Sequence, residues 1–162
     1  MNLNIYKTRK LLLAGEVIIV PTETVYGLAV IEKYRDKLDQ VKNQPKSKPM
    51  ARIYSSVKPI LNMVEDILLK EIVSRLLPGP FTLLLNVPEK TGFRVPEHPI
   101  WSELLQGVEE VVLMTSANIH GEKPAVTFTE AKAIFPQLEG FDGGPSYYRR
   151  ASTIIDLTSG MR

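Results

Sequence analysis

The 162-residue sequence contains no cysteine. Disulfides, zinc–thiolate sites, iron–sulfur clusters and thiol nucleophiles are therefore excluded as the basis of its function. It also lacks any apolar run near the roughly 18 residues that a membrane span requires. The net charge is only +2, which gives no argument for nucleic-acid binding from the total alone. These absences leave a globular protein of ordinary composition, with 44% apolar and 23% charged residues.

The length is that of one ordinary domain. No internal repeat, linker or low-complexity tract interrupts it, so we expect a single domain over residues 1–162. The first residues, MNLNIYKTRKLLLAG, place basic residues before a short apolar patch but run straight into a strand without a small-residue cleavage site. We expect them to form the first helix of a cytoplasmic protein.

Apolar spacing predicts helices and strands that do not alternate strictly. Helical spacing covers Ile5 to Leu13, YRDKLDQVKN, ILNMVEDILLKEIVSRLL, PIWSELLQG and TFTEAKAIF. Strands are predicted at EVIIVP, Gly27 to Ile31, ARIYSS, FTLLLNV, EVVLMTSAN and STIIDLTSG. Pro45 and Pro49 are expected to end the YRDKLDQVKN helix. The order indicates an α/β (α+β) fold, a single twisted sheet of mixed parallel and antiparallel strands flanked by helices.

Three polar turns are candidates for a ligand site, and the first is PTETVYGL, residues 21–28. Thr22, Glu23 and Thr24 separate two apolar runs, and Tyr26 precedes a glycine. Hydroxyls and exposed backbone amides there suit a small polar ligand, with Tyr26 as an aromatic wall. The alternative is a turn whose threonines satisfy local backbone groups.

The second turn is MTSANIHGEKP, residues 114–124, which follows a strand. Thr115, Ser116 and Asn118 supply donors, and Gly121 permits the close backbone approach that a phosphate cradle needs. The turn matches neither the Walker pattern nor a dinucleotide fingerprint. A capped strand-to-helix turn is the alternative.

The third is VKNQPKSKPMA, residues 41–51, with three lysines and no acid. Lysines near phosphates offset negative charge in bound and transition states. A solvated surface loop is the alternative. The charge excess is local, because the stretch from Gln40 to Val64 has no Asp or Glu but carries Lys42, Lys46, Lys48, Arg52 and Lys58.

Other residues give weaker signals. His98 and His120 are the only histidines, and neither has a second ligand at metal spacing or a nucleophile to pair with. A structural or substrate-contact role is expected for them. Glu65 and Asp66 fall on expected helix surfaces, so no pair of carboxylates suggests acid–base catalysis.

Six motifs occur in the order seen in the YrdC-like family, which includes the threonylcarbamoyl-AMP synthases. They are PTETVYGL, the Lys42 segment with KP at 48 and 49, PGPFTLLL, FRVPEHP, TSANIHGEKP, and DGG followed by STIIDLT. The sequence resembles this family from about Ala14 to Thr158. The resemblance implies a twisted mixed sheet around a large, positively charged concave cavity.

The resemblance also implies a reaction. L-threonine, bicarbonate and ATP would give threonylcarbamoyl-adenylate and pyrophosphate. A partner enzyme system would then move the threonylcarbamoyl group onto the adenosine beside the anticodon of certain tRNAs. Mg²⁺ would arrive with ATP, since the sequence shows no dedicated carboxylate cage.

Site residues follow from the same resemblance. Lys42 matches the lysine of the family's Lys-x-Arg motif and is expected to be catalytic, near the phosphates and the substrate carboxylate. Ser116 and Asn118 match its Ser-x-Asn motif and are expected to contact the nucleotide phosphates. The further binding residues expected are Thr22, Thr24 and Tyr26 around threonine and the adenylate, with Thr115, Arg94 and Ser152 as additional contacts.

Two departures from the family pattern limit this transfer. Gln44 stands where the Lys-x-Arg motif has its arginine, so a bidentate grip on an anion is lost. Lys46 or Arg52 would have to compensate. The sequence ends at Arg162, which is either the family's phosphate-binding arginine or a sign that this region is missing. We expect no counterpart of the C-terminal domain of longer members.

Two other functions remain open. A non-catalytic RNA-binding module on the same fold would use the basic stretch from Gln40 to Val64 to hold tRNA, and Gln44 favours it. A related carbamoyl-adenylate-forming activity occurs in the YrdC-like part of hydrogenase maturation proteins. Those proteins are normally much longer chains.

Overall fold

The computed structural model describes residues 4–45 and 49–159. The strands are β1 (Ile18–Val20), β2 (Gly27–Ile31), β3 (Ala51–Ile53), β4 (Phe81–Asn86), β5 (Lys90–Arg94), β6 (Val112–Ser116), β7 (Glu139–Gly140) and β8 (Thr153–Asp156). The helices are α1 (Ile5–Leu13), α2 (Arg35–Lys42), α3 (Lys58–Met63), α4 (Ile67–Leu76), α5 (Ile100–Leu104) and α6 (Phe128–Ile134), with a 3₁₀ turn at Glu32–Tyr34.

All eight strands form one sheet in the order β7-β1-β2-β6-β3-β5-β4-β8. Three neighbouring pairs are parallel, β1 with β7, β3 with β5 and β4 with β8. The remaining pairs are antiparallel. The predicted mixed sheet flanked by helices is therefore confirmed.

Side-chain caps place several helix starts where the sequence predicts them. The Asn4 side chain accepts from the backbone N–H of Lys7 at 2.9 Å, and Thr127 caps α6 in the same way. Asp66 caps α4, so the long stretch ILNMVEDILLKEIVSRLL forms two helices. Asp66 is thus a helix cap and not a residue on a helix face.

The end of α2 differs from the prediction. The helix stops at Lys42 because Asn43 adopts a left-handed conformation, with φ of 47°. Asn is one of the few residues that tolerate this conformation at a helix C-terminus. The two prolines lie beyond this cap and do not end the helix.

Two strands have no counterpart in the prediction. β5 has the sequence KTGFR, which shows neither an apolar run nor clear alternation. β7 has only two residues and pairs with the free edge of β1. Such strands depend on a neighbouring strand edge more than on their own composition.

Three apolar clusters fill the space between sheet and helices. One lies against α2 and α6, a second against α1 and α5, and a third between the β4–β5 hairpin and helices α3 and α4. Trp101 is 1% exposed, and its Nε1–H donates to the Pro21 carbonyl at 3.1 Å, which fixes the start of the first polar turn. No helix within the described ranges is long and apolar enough to cross a membrane.

Candidate active site

A cavity of about 210 Å³ lies over six consecutive strands of the sheet, from β2 through β6, β3, β5 and β4 to β8. Each of these strands contributes at least one residue to its wall. Five residues predicted for the site from the sequence line it, namely Tyr26, Arg94, Thr115, Ser116 and Ser152. Residues more than 120 positions apart therefore meet in one place.

A larger hollow, of about 690 Å³, lies beside the far end of β4. Its wall combines apolar residues such as Met63 and Leu69 with the charged Arg52, Glu65 and Asp66. It holds none of the residues predicted to bind threonine or ATP. The smaller cavity is therefore the candidate active site, since it gathers a guanidinium and several hydroxyls.

Arg94 supplies a fixed positive charge in the cavity wall. It is 4% exposed, and its Nη2 donates to the Glu23 carboxylate at 2.8 Å. The same nitrogen lies 2.6 Å from the Thr24 hydroxyl and 3.3 Å from that of Thr22. These contacts hold the guanidinium in one orientation.

Thr22 and Thr24 act behind the wall rather than on its surface. Both are 1% exposed, and neither lines the cavity in the described part of the chain. The Thr22 hydroxyl also donates to the Val25 carbonyl at 2.6 Å, as expected for a threonine that satisfies local backbone groups. The local bonds of the turn match the alternative prediction, in which its threonines satisfy local backbone groups, and they also support Arg94. Direct contact of Thr22 and Thr24 with a ligand stays a prediction.

Lys42 is buried, with 1% of its surface exposed. Its ammonium donates to the Ser116 carbonyl at 2.7 Å, to Asn118 Oδ1 at 3.2 Å and to the Thr115 hydroxyl at 3.3 Å. The Ser116 hydroxyl in turn donates to Asn118 Oδ1 at 2.6 Å. The structure thus brings Lys42 and the Ser-x-Asn motif together, with Lys42 and Asn118 directly behind the cavity wall.

Gln44 is buried and is not among the described residues that line the cavity. Its Nε2 donates to Asp39 Oδ1 at 2.9 Å, whereas its buried Oε1 has no hydrogen-bond partner in the described ranges. Asp39 is 4% exposed and also receives a contact from Arg35 at 3.4 Å. The motif position therefore holds a buried amide–carboxylate contact in place of an arginine.

Arg52 does not compensate for the missing arginine. Side chains alternate between the two faces of a strand, and Ala51, its neighbour in β3, is the one that lines the cavity. Arg52 instead pairs with Glu32 at 3.1 Å and borders the larger hollow. Lys46 and Arg162 lie outside the described residues.

Tyr26 joins the first and second polar turns to a segment that contains Gly143 and Gly144. Its backbone N–H donates to Ala125 and its carbonyl accepts from Ala117, which links the first turn to the second. Its hydroxyl donates to the Gly144 carbonyl at 2.7 Å and accepts from the Gly143 N–H at 3.1 Å. Burial raises the pKa of Tyr26 to about 12, so the hydroxyl stays protonated and able to donate.

The segment that Tyr26 joins to these two turns spans residues 141–152 and is named the strap. A Cβ on Gly143 would lie 2.6 Å from the Pro21 ring, so the close contact between strap and first turn requires glycine. His98 is half-buried beside Gly143, and its Nδ1 accepts from the Ile100 N–H at 3.3 Å. Burial lowers the pKa of His98. This contact agrees with the structural role expected for that histidine.

Sequence reasoning did not identify three residues of this site. Glu23 holds Arg94, Asp39 holds Gln44, and the Thr82 hydroxyl shares a 2.8 Å hydrogen bond with Ser152 in the cavity wall. Glu23 lies within a turn already selected, so a carboxylate between two threonines was an available signal. Thr82 sits in an ordinary strand sequence, and nothing local distinguishes it.

Comparison with known proteins adds a family context. The Sua5_yciO_yrdC family model, described as Telomere recombination, matches residues 10–162. The threonylcarbamoyl-AMP synthase of Bos taurus is 29% identical over 166 residues, covering 90% of this chain and 60% of the relative. The putative threonylcarbamoyl-AMP synthase of Methanocaldococcus jannaschii is 31% identical over 167 residues, covering 92% of this chain and 78% of the relative.

A solved structure agrees with this grouping. The crystal structure of P. abyssi Sua5 complexed with L-threonine matches with a TM-score of 0.82 and 25% identity. The match covers 97% of this chain and 52% of that one. The chain thus spans about half the length of this solved relative and 60% of the length of the bovine one.

Proposed function

Because the chain belongs to the Sua5/YciO/YrdC family, we propose that it forms L-threonylcarbamoyl-adenylate and pyrophosphate from L-threonine, bicarbonate and ATP. The observation that best supports this is the buried Arg94 guanidinium in a cavity wall that also carries the Ser116 and Ser152 hydroxyls. Guanidinium and hydroxyl groups are good partners for carboxylate and phosphate oxygens. The proposed substrates carry both kinds of oxygen.

The proposed chemistry needs little covalent help from the protein. The threonine amine, as the free base, captures carbon dioxide derived from bicarbonate and releases a proton. A carbamate oxygen then attacks the α-phosphorus of ATP in line, and the bond to the bridging oxygen breaks as pyrophosphate leaves. Most of the rate would come from holding the reactants together and offsetting negative charge. A chain without cysteine can supply both.

Lys42 and Arg94 have different roles in this proposal. Arg94 is held by Glu23 and the threonine hydroxyls, so it acts as a fixed anchor for an anionic group. The ammonium of Lys42 has three neutral oxygen acceptors. Phosphate oxygens are stronger acceptors for an ammonium than neutral oxygens. We propose that a phosphate replaces Asn118 Oδ1 as one of these acceptors when ATP binds.

Mg²⁺ enters this proposal as part of the substrate, bound to the phosphates of ATP. Within residues 4–45 and 49–159, no group of three or more His, Cys, Asp or Glu side chains could hold a metal ion. The cavity wall offers hydroxyls and a guanidinium, which suit phosphate oxygens rather than a cation. A magnesium ion that keeps its phosphates and several waters needs few protein ligands.

In the proposed pathway the adenylate passes to a tRNA-modifying transferase complex, which places the threonylcarbamoyl group on the adenosine beside the anticodon. Two of the five cations in the basic stretch have partners within the fold, since Lys42 is buried and Arg52 pairs with Glu32. Lys58 is exposed, and Lys46 and Lys48 lie outside the described residues. A non-catalytic RNA-binding module, which would have to neutralise RNA phosphates, therefore remains the second candidate.

A direct test is incubation of the pure protein with ATP, L-threonine and labelled bicarbonate. We expect pyrophosphate and a labelled adenylate, both dependent on threonine. Matched reactions without threonine, and with the Arg94→Met variant, serve as controls and should give neither product. Absence of a threonine-dependent product over a range of Mg²⁺ concentrations and pH values would contradict the proposal. Tight, steeply salt-dependent tRNA binding without turnover would instead support the RNA-binding module.

A further inference from the structure

The strap crosses the sheet from one edge to the other. It leaves β7 at one edge and enters β8 at the opposite edge. The Ser146 hydroxyl donates to the Thr22 carbonyl at 3.0 Å, and the Tyr148 N–H donates to the Glu23 carbonyl at 2.8 Å. At its far end Ser152 lines the cavity. The strap is therefore tied to the loop that supports Arg94 and ends in the wall of the candidate site.

Two tyrosines project from the strap between these attachments. Tyr147 is 82% exposed and Tyr148 is 38% exposed. Their rings meet edge to face, with centroids 4.9 Å apart and planes at 86°. The ring of Tyr147, at this exposure, gains little from burial within the chain. It offers a flat apolar surface to a ligand.

Two arginines follow the tyrosines directly. Arg149 and Arg150 are both exposed, and neither forms an ion pair in the part of the chain that the structure describes. Arg149 has a φ of 55°, a left-handed conformation that is unfavourable for a residue other than glycine. Backbone outliers of this kind cluster at ligand sites. The next residue, Ala151, lines the cavity.

The cavity is small for a site that takes a whole nucleotide. Its volume of about 210 Å³ lies below the roughly 300 to 1,000 Å³ usual for small-molecule sites. Arg94 and the hydroxyls of Ser116 and Ser152 make its wall suited to anionic groups. The phosphates would occupy this space, and the base would have to lie outside it.

We propose that the exposed ring of Tyr147, held edge to face against Tyr148, forms a platform on which the base of the nucleotide stacks, with Arg150 contacting its phosphates between platform and cavity. This inference rests on the proposed function, in which the nucleotide is ATP. Aromatic side chains stack on any base, because every base has a π-face. The platform therefore contributes affinity without selecting adenine over guanine.

The test compares ATP with inorganic tripolyphosphate, which has the phosphates but no base. Binding of each is measured by calorimetry on the full chain, without threonine or bicarbonate. We expect Tyr147→Leu to weaken ATP binding about fivefold or more, as for loss of one stacked base, and to leave tripolyphosphate binding unchanged. Arg150→Gln should weaken both ligands. Tyr6→Leu is the matched control, because Tyr6 is an exposed tyrosine on α1, and it should change neither.

Three outcomes of the calorimetry would overturn the platform. They are equal weakening of ATP and tripolyphosphate by Tyr147→Leu, no effect on either ligand, and no ATP binding by the unmodified chain. Loss of binding to single-stranded oligoadenylate with unchanged ATP binding would assign the surface to RNA and would also overturn it. If the chain binds ATP through Tyr147 but forms no adenylate, the proposed function fails while the platform stands.

Discussion

The Arg94 guanidinium and the Glu23 carboxylate form a 2.8 Å ion pair in which the two side chains are only 5% and 6% exposed. Glu23 Oε2 also accepts the backbone N–H of Glu97 at 3.1 Å. One carboxylate thus holds the cationic anchor of the cavity and the segment that follows β5. Because the Glu23 carboxylate offsets the charge of Arg94, the net positive charge of the site depends strongly on Lys42.

Breaking the Glu23–Arg94 ion pair should destabilise the folded protein. We expect Glu23→Gln to lower the free energy of unfolding by about 3 to 5 kcal/mol, since it leaves the Arg94 charge buried without a counter-charge. Urea denaturation measures the loss. Glu71→Gln is the matched control, because Glu71 forms a shorter but exposed pair with Arg75, at 2.6 Å, and its loss should cost less than about 1 kcal/mol. Equal effects of the two substitutions would contradict the role assigned to Glu23.

The same pair shows what the sequence could and could not reveal. Local pattern was enough for α1, β2 and the polar turns after β1 and β6, because apolar spacing and turn residues act over a few positions. Glu23 and Arg94 are 71 positions apart, and no local rule joins them. The likeness to a family suggested that Arg94 belongs to the site, but its partner became visible only in the fold.

Replacing Lys42 should slow catalysis far more than replacing an exposed lysine of the same basic stretch. We expect Lys42→Met to reduce threonine-dependent adenylate formation by about 10² to 10³-fold, as for loss of one preorganised charged donor. Lys58→Met is the control, because Lys58 belongs to the same basic stretch but is exposed. It should leave the rate unchanged. Comparable losses in both variants would indicate that only the overall charge matters.

An arginine at position 44, where the family motif has one, should not form an ion pair with the ligand in this protein. Gln44 already contacts the buried Asp39 carboxylate, so a guanidinium at this position would pair with Asp39. We therefore expect Gln44→Arg to change the turnover rate by less than about threefold. Gln44→Ala should lower the free energy of unfolding by about 1 to 3 kcal/mol, because Asp39 loses a buried donor. A tenfold rise in turnover with Gln44→Arg would show that position 44 reaches the cavity.

The burial of Gln44 is another feature that sequence alone did not give. Composition made the stretch from Val41 to Ala51 either a ligand wall or a solvated loop. In its described part, Pro49, Met50 and Ala51 line the cavity, whereas Lys42 and Gln44 are buried and contact partners inside the fold. Lys42 meets the Ser116 carbonyl because α2 packs against the sheet. Asp39 lies on α2 itself, and Gln44 reaches it through the left-handed turn at Asn43.

His98 should make stability depend on pH. Burial holds its pKa below the ordinary value of about 6.5, so the unfolded chain binds more protons in acid than the folded chain. Its contribution is present above about pH 6.5 and is lost as the pH falls through the folded-state pKa. We expect the unfolding free energy of His98→Gln to fall less between pH 7.5 and 5 than that of the unmodified chain. The same fall in His98→Gln as in the unmodified chain would contradict this role of His98.

The Tyr26 hydroxyl should anchor the strap, and Tyr26→Phe tests this with the ring retained. The variant loses the bonds to Gly143 and Gly144, so we expect a loss of about 1 to 2 kcal/mol in unfolding free energy. The raised pKa means that this contribution is present below about pH 10 and is lost as the pH rises through about 12. Between pH 6 and 9 the loss in unfolding free energy should therefore be constant, which separates it from the effect of His98.

In the Tyr26→Phe variant, hydrogen exchange of the Gly143 amide should speed up more than that of β2 amides. Uniform acceleration across the sheet would instead mean that the hydroxyl supports overall stability and not the strap.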